Sequence, residues 1–308
     1  VELTGGREVV MLLRRPHAAE QIESNLALGQ EFLKELDRRE MTAASSLFEA
    51  VLDAVRQQLA EELKLTREAE QLMVAKKYYE GLNSSMDMKG WRFEVPGLVE
   101  GFEIRGTILF LEKATGTTFD KLEQKDKVDA GRLIAESSLR LLFRKGWFDA
   151  DRHTGNQLID SYKKIIYPLD FGQATEFSKT AFWKKDDRYE LGQFLRALGA
   201  GDADGLLRHG REMSSQGQAK DLAVLRGQLE KAVSGGGSMA DRLIGLVTAF
   251  ADQGLGLDGK FTFGAFKGLM TLFGEGYVPE EGFRQLLGRE IASLLKWKFP
   301  QTLLDQRK

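Results

Sequence analysis

No cysteine occurs in the 308 residues of this chain. Disulfides, thiolate metal sites and a cysteine nucleophile are therefore excluded, and the composition suits a reducing compartment. Histidine is scarce. His17, His153 and His209 lie far apart and lack zinc-ligand spacing. No apolar run reaches the roughly eighteen residues that a membrane-spanning helix needs. The formal net charge of −2 supplies no basic field, so nucleic acid is not an expected partner. What remains is ordinary for a globular protein: 42% hydrophobic and 29% charged residues, with length enough for two lobes and a sizeable core. The chain opens at Val1 without Met and directly in a strand, and an upstream segment is expected to be missing.

The first third alternates strand and helix signals. Arg7 to Leu13 reads as a strand, and Gly5-Gly6 as a turn from a preceding strand at Val1 to Thr4. Ala18 to Leu36 is helical. Leu47 to Tyr79 is a long helical stretch, broken by a loop from Gly81 to Gly90. Trp91 to Val95 and Ile104 to Phe110 read as two further strands. From Asp120 onward the periodicity is mostly helical, and Ser234 to Ser238 reads as a flexible Gly-rich connection. The fold class expected is α+β: a two-lobed arrangement with a mixed N-lobe over residues 1–113 and a helical C-lobe over 114–308. Their junction would be at Glu112 to Gly116.

The most informative stretch runs from Phe148 to Asn156 and then from Leu169 to Gly172. Asp151 precedes Asn156 by five residues, and Asp170-Phe171-Gly172 begins fourteen residues after that Asn. Phosphoryl transfer in a protein-kinase-like fold needs this spacing: one Asp faces the acceptor hydroxyl, while an Asn and a second Asp hold magnesium on the nucleotide phosphates. Hard oxygen donors from an amide and a carboxylate suit that ion. The flanks agree. Ile134 to Phe143 is an amphipathic helix ending near Gly146, and strands at Asn156 to Ile159 and Lys164 to Leu169 form a hairpin before Asp170. Asp151 is thus the candidate catalytic residue, and Asn156 and Asp170 are candidate magnesium ligands. ATP or ADP would meet the junction through backbone groups of Glu112, Lys113 and Ala114; the other reading of Leu109 to Glu112 is a buried strand end.

These segments resemble the ABC1/UbiB/ADCK group of atypical kinase-like proteins, also called the AarF family. The resemblance is carried by Gly6 to Pro16, Glu62 to Glu70, the Asp149 to Asn156 loop, Leu169 to Gly172 and the tail from Gly254 to Tyr277. It implies ATP binding, with kinase-like or ATPase activity in ubiquinone or related prenyl-lipid metabolism. Partners would then be quinone-pathway proteins, and the location cytoplasmic, peripheral to a membrane. It also implies that Glu62 is the helix glutamate that pairs with a strand lysine, and that Glu68 is a second acidic position on the same helix.

Three departures accompany the resemblance. The strand lysine is replaced by Leu12, Lys64 stands two residues after Glu62 where an Asp is usual, and Arg152 and Thr154 replace prolines of the catalytic loop. Leu12 offers no charge to a phosphate. Arg14 shares its strand face, roughly 6.6 Å further on, and is the candidate substitute. A catalytically impaired, pseudokinase-like scaffold for a lipid-modifying assembly is therefore the alternative function. The segment Leu294 to Pro300 mixes basic and large apolar residues. It reads either as a membrane-interface segment or as a helix end docked on its own domain.

Overall fold

The computed structural model describes residues 1–3, 6–14, 17–39, 65–102, 107–177, 186–216 and 218–298, together with Phe48, Leu52 and Arg56. The expectations for Glu62, Lys64 and most of the Leu47 to Lys64 stretch fall outside these residues. Strand β1 (Val9–Leu13) pairs antiparallel with β3 (Ile108–Glu112), Val9 opposite Glu112 and Leu12 opposite Leu109. Before β1 the chain folds back at Gly6, in the left-handed region, and Glu2 bridges Glu8. Helix α1 (Ala18–Arg38) follows.

Helix α2 (Leu65–Ser85) buries Ala69, Leu72, Ala75, Tyr79 and Leu82, a stripe of three- and four-residue steps. It runs four residues past Gly81, where a loop was expected. The apolar stripe continues through Leu82, and that burial outweighs the ~1 kcal/mol a helical glycine costs.

Strand β2 (Arg92–Phe93) is shorter than the Trp91 to Val95 stretch expected. It does not join β1 and β3 but runs parallel to β6 (Ile165–Pro168), which pairs antiparallel with β5 (Gln157–Asp160). Phe93 is buried against Tyr79 of α2, ring centroids 4.9 Å apart, and Asn83 of α2 bonds both the amide and the carbonyl of Phe93. The same helix therefore holds the hairpin that joins the Asp151–Asn156 loop to the Asp170 loop.

Helix α3 (Gln124–Arg140) continues into one π-helical turn and stops at Gly146, whose φ is +65°. The turn to β4 (Trp147–Asp149) needs that conformation. Strand β4 pairs with β7 (Ala174–Glu176), so a short antiparallel ribbon brackets both motif loops. The remainder is mostly helical, with α4 (Asp187–Ala200), α5 (Ala203–Glu212), α6 (Leu222–Ser234), α7 (Met239–Asp252), α8 (Lys267–Gly274) and α9 (Glu280–Lys298), and includes a short antiparallel ribbon of Ser214–Gln216 with Gly256–Leu257. The expected Gly-rich connection is short, because Ser238 caps α7 in a capping box with Asp241. A π-helical segment, Lys260–Phe266, leads into α8.

Helix α9 docks on α4: Ile291 and Leu294 are buried and reach Gly192. Glu290, fully buried, accepts two bonds from Arg144 at 2.7 and 3.0 Å. The first part of the Leu294 to Pro300 segment thus covers its own domain. Phe299, Pro300 and the side chains of Lys296, Trp297 and Lys298 lie outside the described residues. Among the described residues no helix is long and apolar enough to cross a membrane.

Candidate active site: a cleft between the N-terminal ribbon and two motif loops

A cavity of about 520 Å³ opens between β1 and β3 on one side and the Asn156 and Asp170 loops on the other. Its wall includes Leu12, Arg67, Glu68, Glu112, Ala114, Asn156, Asp170 and Gln173. The size is that of a small-molecule site.

The loop geometry begins with Asp151. Asn156 donates from its side-chain nitrogen to the Asp151 carbonyl at 3.0 Å and reaches the Asp151 carboxylate at 3.4 Å. A backbone carbonyl can only accept, so the Asn156 amide nitrogen must face Asp151. Its oxygen is left for another partner. The Leu169 amide bonds the Asn156 carbonyl at 2.9 Å, which sets Asp170 beside Asn156 on the cavity wall. Asp170 has φ +52°, a left-handed conformation that Asp tolerates better than most residues, and its carboxylate accepts the Gly172 amide at 3.2 Å. Such backbone strain gathers at functional sites when the surroundings enforce it. The enforcing residue is Phe171, fully buried against Tyr79 and Trp147. An amide oxygen and a carboxylate converging on one cleft are the hard donors that magnesium prefers, so the residues fit that ion.

Arg152 is the centre of the arrangement. Its side chain is 1% exposed and forms an ion pair with buried Asp149. It donates to the carbonyls of Asn156 and Leu169, each at 3.2 Å, and lies over the Phe171 ring 5.0 Å from the centroid. One guanidinium therefore ties the Asp151 loop to the Asp170 loop. Tyr277, just beyond α8, donates to the Arg152 carbonyl, and Glu275 accepts the Thr154 amide. The residue that the sequence marks as a departure is thus the strut between the two motifs. An Asp three residues before an Arg within one tight loop was the available signal.

Glu68 supplies the cleft's unusual carboxylate. It accepts the Phe171 amide at 3.0 Å, and burial pushes its pKa up to about 7, with nearby Asp170 adding to the shift. A raised carboxylate pKa means that the folded state resists ionisation. Its stabilising contribution is complete below the unfolded value near 4.5 and is lost as pH rises through about 7. Glu68→Gln keeps the acceptor and removes the charge. It should raise the thermal midpoint in metal-free buffer at pH 8, by an amount equivalent to about 1–3 kcal/mol, and leave it nearly unchanged at pH 4. A shift equal at both pH values, read by differential scanning calorimetry, would contradict the assignment.

The remaining expected residues sort differently. Glu112 and Ala114 reach the cavity, but the Glu112 amide is already bonded to the Gly97 carbonyl, and its carboxylate binds Arg7 and the Gly97 amide. The Lys113 side chain pairs with Glu8 in solvent. Arg14 lies past the end of β1, is exposed, and is not on the cavity wall. Its amide bonds Thr107 where the ribbon begins. Among the described residues the basic side chain on the wall is Arg67, brought there by α2.

The family model of the ABC1 atypical kinase-like domain matches residues 1–209. The chain belongs to this family. Two curated proteins, each called probable protein kinase UbiB, from Xanthomonas axonopodis pv. citri (strain 306) and Xanthomonas euvesicatoria pv. vesicatoria (strain 85-10), are each 27% identical over 202 residues. The alignment covers 62% of this chain and 34% of each relative, so it spans about a third of their length. The solved Rv3197–erythromycin complex from Mycobacterium tuberculosis aligns with 96% of this chain and 72% of its own, at a TM-score of 0.51 and 18% identity, which speaks for a shared fold. The α+β, kinase-like architecture is thereby shown for this ABC1 chain.

Proposed function

We propose that this ABC1 chain binds ATP or ADP with magnesium in the 520 Å³ cleft and acts as an atypical kinase or ATPase. Residues 1–113 and 114–308 would be its two lobes. The carrying observation is that Asn156 and Asp170 share the cleft wall while Asn156 also bonds Asp151 behind it, with Arg152 tying the two loops together. Asp151 would take the acceptor's proton, and Asn156 and Asp170 would hold magnesium, which bridges the phosphates and offsets their charge. Ala114 and the backbone beyond Glu112 would meet the nucleobase.

Charge favours a metal-dependent mode. Among the described residues, Glu68, Glu112 and Asp170 line the cavity with one basic side chain, that of Arg67. Phosphates entering an acidic wall need a divalent cation between them and the carboxylates. Support for ubiquinone or related prenyl-lipid metabolism comes from the UbiB name of the relatives and stays at the level of family. A cytoplasmic location with peripheral membrane contact and quinone-pathway partners belongs to the same reading.

Leu12 favours a second reading, the catalytically impaired pseudokinase-like scaffold. It lines the cavity and brings no cation. Calorimetric titration with ATP or ADP, with and without magnesium, tests the first reading. Leu12→Lys then tests how far the cleft is impaired. A charged phosphate contact in a shielded cleft contributes on the order of 1.5–3 kcal/mol, so the substitution should tighten magnesium–nucleotide binding about ten- to a hundredfold. Unchanged affinity would mean that the phosphates do not approach β1.

A further inference from the structure

Helix α8 is pressed against the Asp151 loop with no room for side chains. A Cβ added at Gly268 would lie 2.3 Å from the Phe148 ring and 2.9 Å from the Ala150 Cα. One turn earlier, a Cβ at Gly264 would crowd Thr175 of β7 at 3.0 Å. Phe261, Ala265, Phe266 and Leu269 are buried around this seam. The helix start is therefore fixed on the two strands that bracket the motif loops, and the π-helical segment before it sets its phase.

Lys267 projects from that start. Its ammonium lies 3.2 Å from one Asp151 oxygen and bonds the side-chain oxygen of Gln173. Gln173 lines the nucleotide cavity, whereas Asp151 and Lys267 lie just behind it and are not among the residues of its wall. The ammonium thus links a residue of the cavity wall to the carboxylate that would receive the acceptor's proton. Asp151 has other contacts in Asn156 and His153, the latter at 3.7 Å. With 34% of the lysine side chain exposed, an ion pair of this kind contributes little to stability. Asp151 and Gln173 engage two of the three donors of the ammonium, which leaves it able to meet an anion that arrives there.

We propose that Lys267 contacts the terminal phosphate of bound nucleotide and carries the cationic role that Leu12 cannot. The inference rests on the magnesium–nucleotide reading above. In the transfer, a bond forms between the acceptor oxygen and the terminal phosphorus. The bond from that phosphorus to the β–γ bridging oxygen breaks, and its electron pair leaves with ADP. The acceptor proton passes to Asp151. Lys267 stays protonated and hydrogen-bonds a non-bridging oxygen, where charge redistributes in the transition state.

The test is calorimetric affinity for ATP and for ADP, both with magnesium, in wild type, Lys267→Met and Lys267→Arg, with thermal midpoints as the folding control. ADP lacks the phosphate in question. Lys267→Met should weaken ATP about tenfold and ADP less than twofold, and Lys267→Arg should recover most of the ATP preference. Equal weakening of both nucleotides, or of neither, overturns the role of Lys267 and leaves the cleft a nucleotide site. Wild type that binds neither nucleotide overturns the underlying reading and this inference with it.

Discussion

Arg152→Met should lower the thermal midpoint by roughly 10 °C, the largest stability effect expected at the cleft. The substitution removes a buried cation and leaves the Asp149 carboxylate, 3% exposed, with the Asp151 amide but without its counter-ion. Breaking one side of a buried ion pair costs about 3–5 kcal/mol, because the surviving charge is left desolvated. For a chain of this size each kcal/mol moves the midpoint by about 2–4 °C. The Leu169 carbonyl loses the guanidinium donor as well, and the Asn156 carbonyl keeps only the Leu169 amide. Asp149→Asn added to Arg152→Met removes the orphaned charge and should recover part of the loss. Measured by calorimetric melting, a double variant no more stable than Arg152→Met would show that packing over Phe171, and not the stranded carboxylate, sets the cost.

Asp170→Asn should abolish magnesium-dependent turnover, or at least lower it by roughly two to three orders of magnitude, with the fold intact. The exchange removes a charged ligand at constant volume. Asn tolerates the left-handed φ of +52° as well as Asp does, and its oxygen can still accept the Gly172 amide. The thermal midpoint should therefore move by no more than a few degrees. Asp170→Ala confounds the two effects, since Ala is strained at that φ. Should the wild-type chain bind nucleotide without turning it over, the same comparison is read as magnesium-dependent affinity.

Features legible in the sequence were those set by short spacings. Asp151, Asn156 and Asp170 lie within twenty residues, and the hairpin between them follows from Gln157 to Asp160 and Ile165 to Pro168 pairing across a tight turn. Gly146 ends its helix where the sequence placed the break. Contacts that depend on distant packing were not legible. Arg92 and Phe93 pair with residues more than seventy positions away, and no local pattern says which sheet a short strand will join. Lys267 meets Asp151 across 116 residues. Arg14 shares a strand face with Leu12, but β1 ends before its side chain can reach the cavity, while the rotation of α2 brings Arg67 there instead. Glu68 could be assigned to its helix from sequence. Its raised pKa could not, because that depends on burial beneath the Asp170 loop.

The most direct measurement is titration of wild type and Asp170→Asn with ATP in the presence and absence of magnesium. The account predicts saturable binding by wild type that requires magnesium and is lost, or weakened more than tenfold, in Asp170→Asn. Binding that is indifferent to magnesium and equal in the two proteins would contradict it.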